Sequence, residues 1–122
     1  MNDINLLREL LRSKGCCLNN YKVYPKCFIP ANNNNTFAIP DGWLAVIFKV
    51  HFVSAPAGKR YIVRSNSKYN LDMISGGNNT EWNQMEIFES HIWVEGDNGK
   101  VPDDSVATIA VHFLLIEPIC QS

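Results

Sequence analysis

The chain has 122 residues, of which 46% are hydrophobic and 19% are charged, a composition typical of one globular domain with its own hydrophobic core. The formal net charge of −1 at pH 7 gives no general attraction for nucleic acid, and no apolar run approaches the length of a transmembrane helix. The mixed, partly acidic start of the chain lacks the basic and then apolar form of a signal peptide. We therefore expect neither a nucleic-acid partner nor association with a membrane. We also expect synthesis in the cytoplasm, after which the protein could be incorporated into a particle.

The charge is unevenly distributed along the chain. Residues 1–71 contain ten Lys or Arg and three Asp or Glu, a balance of +7, whereas residues 72–122 contain one Lys and nine acids, a balance of −8. Two interpretations stay open. Either the two halves interleave in one system of sheets and neutralise each other, or the basic side of one copy contacts the acidic side of another.

The first predicted element is a short amphipathic helix over residues 3–14, with Asp3 as a suitable N-cap and Gly15 as the stop. A helix this short is marginal in water, so its apolar stripe must be buried against something. That surface is either the chain's own domain or a neighbouring subunit. We assign residues 1–15 to docking or oligomerisation, with an apolar stripe formed by Ile4, Leu6, Leu7, Leu10 and Leu11.

The rest of the chain, residues 16–122, predicts an all-β domain. We expect one or two strands within 21–29, a hairpin of strands 43–55 and 59–65, a short strand over 71–75, a loop over 76–84, and long strands over 85–95 and 106–119. Turn signals recur about every ten residues without an intervening helical pattern. This favours an antiparallel β-sandwich, jelly-roll-like in arrangement.

The chain has three histidines, and each lies in the middle of an apolar run. Alternation along the first long strand places Val46, Phe48, Val50 and Phe52 on the core face and His51 on the opposite face. The same argument places His91 and His112 on the less apolar faces of their strands.

Three imidazoles and a water form a known catalytic zinc site. However, the sequence has no HxH or HExxH spacing, and none of its four cysteines forms a CxxC pair. Pairing of the histidines with carboxylates, or packing at a subunit contact, is therefore the favoured interpretation. We expect no cofactor and no enzymatic activity, and a metal site at His51, His91 and His112 is the third hypothesis.

The loop over residues 76–84 has the composition of a glycan-binding site, because an aromatic ring can stack on a sugar while amides and carboxylates bond its hydroxyls. The alternative is an ordinary loop whose tryptophan covers the edge of the core. The candidate ligand-binding residues of the loop are Asn78, Asn79, Glu81, Trp82, Asn83 and Gln84. Asp41 and Trp43 would join them only if both turns lie at the same end of the domain.

Two functions from different classes follow. The first is a non-enzymatic structural or binding module that self-assembles into homo-oligomers, such as an accessory protein of a virion or a phage tail or capsid. The second is a lectin-like carbohydrate-binding domain that uses the Trp82 loop.

Overall fold

The computed structural model of the chain describes residues 21–30, 35–65, 70–96 and 107–119. These residues form only strands, turns and connections, so the prediction of an all-β chain is confirmed for them. The predicted helix over 3–14 lies outside the described ranges. The strands are β1 (Tyr21–Phe28), β2 (Thr36–Ala38), β3 (Leu44–Ser54), β4 (Arg60–Arg64), β5 (Asn70–Ile74), β6 (Thr80–Trp82), β7 (Glu86–Phe88), β8 (His91–Gly96) and β9 (Thr108–Pro118).

The strands form two antiparallel sheets. The five-stranded sheet has the order β1-β9-β3-β6, with β7 also paired to β3, and the four-stranded sheet has the order β2-β8-β4-β5. The pairings are nested: β1 pairs with β9, β2 with β8, β3 with β6, and β4 with β5. Strands near the start of the chain therefore pair with strands near its end.

Both sheets contribute to one hydrophobic core. Val50 and Phe113 come from the five-stranded sheet, and Val63 and Ile92 from the four-stranded sheet, into the same buried cluster. Aromatic contacts connect the sheets directly, since the ring centroids of Phe37 and Phe113 are 4.9 Å apart.

A β-bulge in β3 corrects the predicted core face of that strand. The register with β9 shifts between Ile47 and Lys49, which leaves Phe48 as the extra residue. A bulge of one residue reverses the alternation of side chains. Ala45 and Ile47 therefore face the core in place of Val46 and Phe48, and Phe48 is 39% exposed. Beyond the bulge the prediction is correct, because Val50 and Phe52 are core residues.

Three further predictions from the sequence were wrong: a hairpin, a continuous strand and a loop. β3 and β4 lie in different sheets, so the turn at residues 56–59 joins the sheets instead of closing a hairpin. The long strand predicted over 85–95 is divided into β7 and β8, which also belong to different sheets. The break is at Ser90, whose φ of 73° is incompatible with a continuous strand. In addition, β6 lies within the stretch predicted as a loop.

Ion pairs connect the basic and the acidic parts of the chain. Three of them join a basic residue of the first half to an acid of the second: Lys49 to Glu81, Arg60 to Asp72, and Arg64 to Glu95. This is the interleaved arrangement that nested pairing produces. No helix among the described residues could span a membrane.

Candidate functional site

Trp82 packs against the core edge. It is the register partner of Val50, a core residue, and its half-buried ring contacts the core cluster. The indole Nε1 donates a hydrogen bond of 3.1 Å to Gln84 Oε1. Thus the aromatic face and the polar edge of Trp82 both have partners within the chain, while Asn83 and Gln84 are exposed beside it.

Two of the three asparagines of this loop, Asn78 and Asn79, bond residues of β3 or its end. Asn78 Oδ1 accepts a hydrogen bond of 3.0 Å from the backbone N–H of Ala55. Asn79 has a φ of 58°, in the left-handed region that asparagine tolerates, and its Oδ1 accepts a hydrogen bond of 2.9 Å from His51 Nε2. These amides therefore fix the turn that leads into β6.

Asp41 and Trp43 lie at the opposite end of β3 from Trp82. Trp43 immediately precedes Leu44, whereas Trp82 pairs with Val50, and six residues of strand extend about 20 Å. The structure therefore does not bring the two tryptophans to one rim.

A small pocket of about 230 Å³ lies instead beside Trp43. A turn over residues 40–43 contributes to its lining; the turn is closed by a hydrogen bond from Trp43 N to Pro40 O, and Gly42 has a positive φ of 82°. Trp43 stacks on Tyr24 at 5.8 Å between ring centroids. The lining comprises Ile39, Pro40, Asp41, Gly42, Trp43, Glu89 and Ser90.

Two of the three histidines share the outward side of the five-stranded sheet. Lys49 is the register partner of His112, and His51 is the partner of Glu81 on β6. Lys49 Nζ lies 3.7 Å from a Glu81 carboxylate oxygen. His91 lies on β8 in the other sheet. Among the described residues, no group of three or more His, Cys, Asp or Glu side chains could hold a metal ion.

This arrangement changes the proton affinity of His112. Burial lowers the pKa of His112 below its ordinary value of 6.5, and the neighbouring charges of Lys49 and His51 lower it further, against a smaller opposing effect of Glu81. His112 therefore favours its neutral form in the folded protein.

The outward side of the four-stranded sheet carries a tryptophan beside paired charges, which was not among the candidate sites predicted from the sequence. We call it the Trp93 face. Trp93 Nε1 donates a hydrogen bond of 3.1 Å to Glu95 Oε2, and Arg64 Nη2 lies 3.2 Å from the same oxygen. The signal in the sequence was a tryptophan on the charged face of a strand. The face comprises Arg60, Ile62, Arg64, Asp72, Ile74, His91, Trp93 and Glu95.

Burial and exposure are mixed on the Trp93 face. Glu95 is only 7% exposed although it points away from the core, whereas Ile74 is 62% exposed. The Arg60 guanidinium donates two hydrogen bonds, of 2.8 and 2.6 Å, to the carboxylate of Asp72. This hydrogen bonding lowers the pKa of Asp72. The face thus combines apolar surface with paired charges of both signs.

The five-stranded sheet has a second apolar cluster on its outward side, which we call the outer-face cluster. It consists of Leu44, Val46, Ile87 and Ile116, and partly buried Leu114 packs against it. The predicted docking residues Ile4, Leu6, Leu7, Leu10 and Leu11 lie outside the described ranges.

Comparisons with known proteins give no relative from which a site could be transferred. No family model, no curated protein and no solved structure matches this chain.

Proposed function

We propose that this protein is a non-enzymatic structural or binding module with a jelly-roll sandwich, and that it self-assembles. The observation that carries the proposal is the nested strand pairing, with β1-β9-β3-β6 in one sheet and β2-β8-β4-β5 in the other. A jelly roll has eight strands in two sheets, built from two Greek keys, and β7 is the strand in addition to these eight among the described strands. Viral capsid domains and lectins are built on this architecture.

The contact between copies that we propose is the Trp93 face. Tryptophan and arginine are the residues most enriched at the energetic centres of interfaces, and exposed Ile74 adds apolar area. Both charge signs are present on the face. A twofold-related copy can therefore set the cations of one face against the acids of the other.

The assembly that this architecture favours is a particle to which the protein contributes an accessory subunit, such as a virion or a phage tail or capsid. The support is the association of jelly rolls with capsids, together with a sheet face suited to repeated contacts.

Sedimentation equilibrium over a dilution series tests self-assembly. We expect an oligomer for the natural chain and a shift toward monomer for Ile74→Glu. At dilutions where both chains are monomeric, their melting temperatures should agree, because Ile74 is largely exposed. Met85→Glu is the matched control, since Met85 is also exposed but lies between β6 and β7. A natural chain that stays monomeric at every concentration would refute the proposal.

A second candidate, carbohydrate binding, is favoured by the pocket beside Trp43. The pocket combines an aromatic ring with the exposed carboxylate of Asp41, the pairing that sugar rings and hydroxyls require. At about 230 Å³ it is suited to a single sugar unit rather than to a long chain.

A glycan array separates this pocket from the Trp82 loop. If the pocket binds the sugar, Asp41→Ala should abolish the array signal while Glu81→Ala retains it. The opposite pattern would assign binding to the Trp82 loop, and no signal from the natural chain would eliminate this candidate.

A further inference from the structure

The outer-face cluster is buried on the side of the sheet that faces away from the core. Leu44 is 0% exposed and Ile116 is 3% exposed, although their sequence neighbours Ala45 and Leu115 are the residues that face the core. An antiparallel sheet with one side in water would carry polar residues there. Every member of the cluster belongs to the five-stranded sheet, so no strand among the described residues covers it.

The segment that precedes β1 has the composition to cover this cluster. Among the stretches outside the described ranges, only residues 1–20 contain leucine or isoleucine. An apolar stripe at helical spacing is formed by Ile4, Leu6, Leu7, Leu10 and Leu11. Glu9 and Arg12 lie on the opposite side of such a helix. A helix over 3–14 would be about 18 Å long, enough to cross three strands spaced about 4.8 Å apart.

The connection between residues 3–14 and β1 is long enough for a helix to lie on the outer-face cluster. β1 begins at the end of the sheet where the cluster lies, because Val23 is the register partner of Ile116 and Ile116 is the partner of Leu44. Two strand spacings, about 10 Å, separate Val23 from Leu44. The six residues 15–20 can extend about 20 Å, which allows the chain to reverse over the outward side of the sheet.

We propose that residues 3–14 dock as an amphipathic helix on the outer-face cluster of the same chain. The N-terminal segment is then a third layer on the five-stranded sheet. This inference is independent of the proposed self-assembly, which uses the other sheet.

The test compares two double variants. Leu7→Glu with Leu11→Glu should lower the melting temperature and increase the binding of a hydrophobic dye several-fold, because the outer-face cluster becomes exposed. Glu9→Gln with Arg12→Gln, on the opposite side of the helix, should leave both unchanged. Equal behaviour of the two variants would overturn the proposal.

Methyl NOEs in the natural chain provide a second measurement that does not depend on a folded variant. We expect contacts between the methyl groups of Leu7 or Leu11 and those of Leu44 or Ile116 within one molecule. In a mixture of labelled and unlabelled chains, contacts seen only between molecules would assign the surface to a second copy. Absence of both kinds of contact would overturn the proposal.

Discussion

His112 makes the free energy of unfolding depend on pH. Because its pKa is lowered on folding, the unfolded chain binds the proton of His112 more tightly than the folded protein does. Below pH 6.5, the ordinary pKa, the free energy of unfolding therefore decreases as the pH falls, until the lower pKa of the folded state is passed. His112→Gln should remove this part of the pH dependence in urea unfolding measured at a series of pH values.

His91→Gln is the matched control for this experiment, because His91 lies on the other sheet, away from Lys49 and His51. It should keep the pH dependence of the natural chain. If His112→Gln loses stability on acidification as steeply as the natural chain, the assignment to His112 is wrong.

Asn79 combines a strained backbone with a hydrogen bond, and two substitutions separate these roles. Alanine and glycine both remove the bond to His51, but only alanine is disfavoured at a φ of 58°. We expect Asn79→Ala to be less stable than Asn79→Gly by about 1 kcal/mol in urea unfolding. Equal stabilities would show that the positive φ relaxes when the side chain is replaced.

Arg64 and Arg60 both pair with acids on the Trp93 face, yet their removal should differ. Arg64→Ala leaves the buried carboxylate of Glu95 with the Trp93 N–H as its remaining partner. That loss should cost about 1–3 kcal/mol, toward the lower end because Arg64 is half exposed. Arg60→Ala breaks an exposed pair with Asp72 and should change the unfolding midpoint less. The reverse order would contradict the importance of burial at Glu95.

At the scale of elements, the bulge at Phe48 predicts an unusual tolerance to deletion. Removing Phe48 joins Ile47, which faces the core, directly to Lys49, which faces outward, so alternation becomes regular and both flanks keep their faces. Removing Val50 instead moves His51 toward the core and Phe52 outward. Thermal unfolding should show a folded protein for the first deletion and loss of the cooperative transition for the second.

Local pattern was sufficient to locate most long strands but not to arrange them. β4 and β9 begin and end within two residues of their predicted bounds, because both are apolar runs flanked by turn residues. The division at Ser90 could not be foreseen, since a positive φ is uncommon for serine and the local sequence contains no glycine or proline to mark a break. The predicted hairpin of β3 and β4 failed for a related reason: a turn signal does not specify whether the next strand returns to the same sheet.

The candidate sites show the same limit. The sequence could identify a tryptophan among amides, but only the structure reveals that Trp82 faces the core and that Asn78 bonds the backbone of Ala55. Trp93 was visible as a tryptophan on a charged face, yet its position beside Arg64 arises from pairing between β4 and β8, which local pattern cannot supply.

For the whole molecule, the nested topology predicts that neither half of the chain can form a sheet alone. Every pairing of the described strands joins one of β1–β4 to one of β5–β9. A chain divided between Ser65 and Asn70 therefore yields two fragments in which no two of the described strands pair with each other, and isolated strands are not stable in water. Because the fragments carry opposite net charge, they should attract each other when mixed.

We expect each purified fragment to be unfolded by circular dichroism and the mixture to recover a β-sheet spectrum with cooperative thermal unfolding. The association rate should decrease with added salt, because screening weakens the attraction between the basic and the acidic fragment. A chain divided between Gly96 and Ala107 is the control, since its longer fragment should retain β structure alone: it keeps the pairings β2–β8, β3–β6, β3–β7, β4–β5 and β4–β8. If either fragment of the first division folds by itself, the nested pairing is not what holds this protein together.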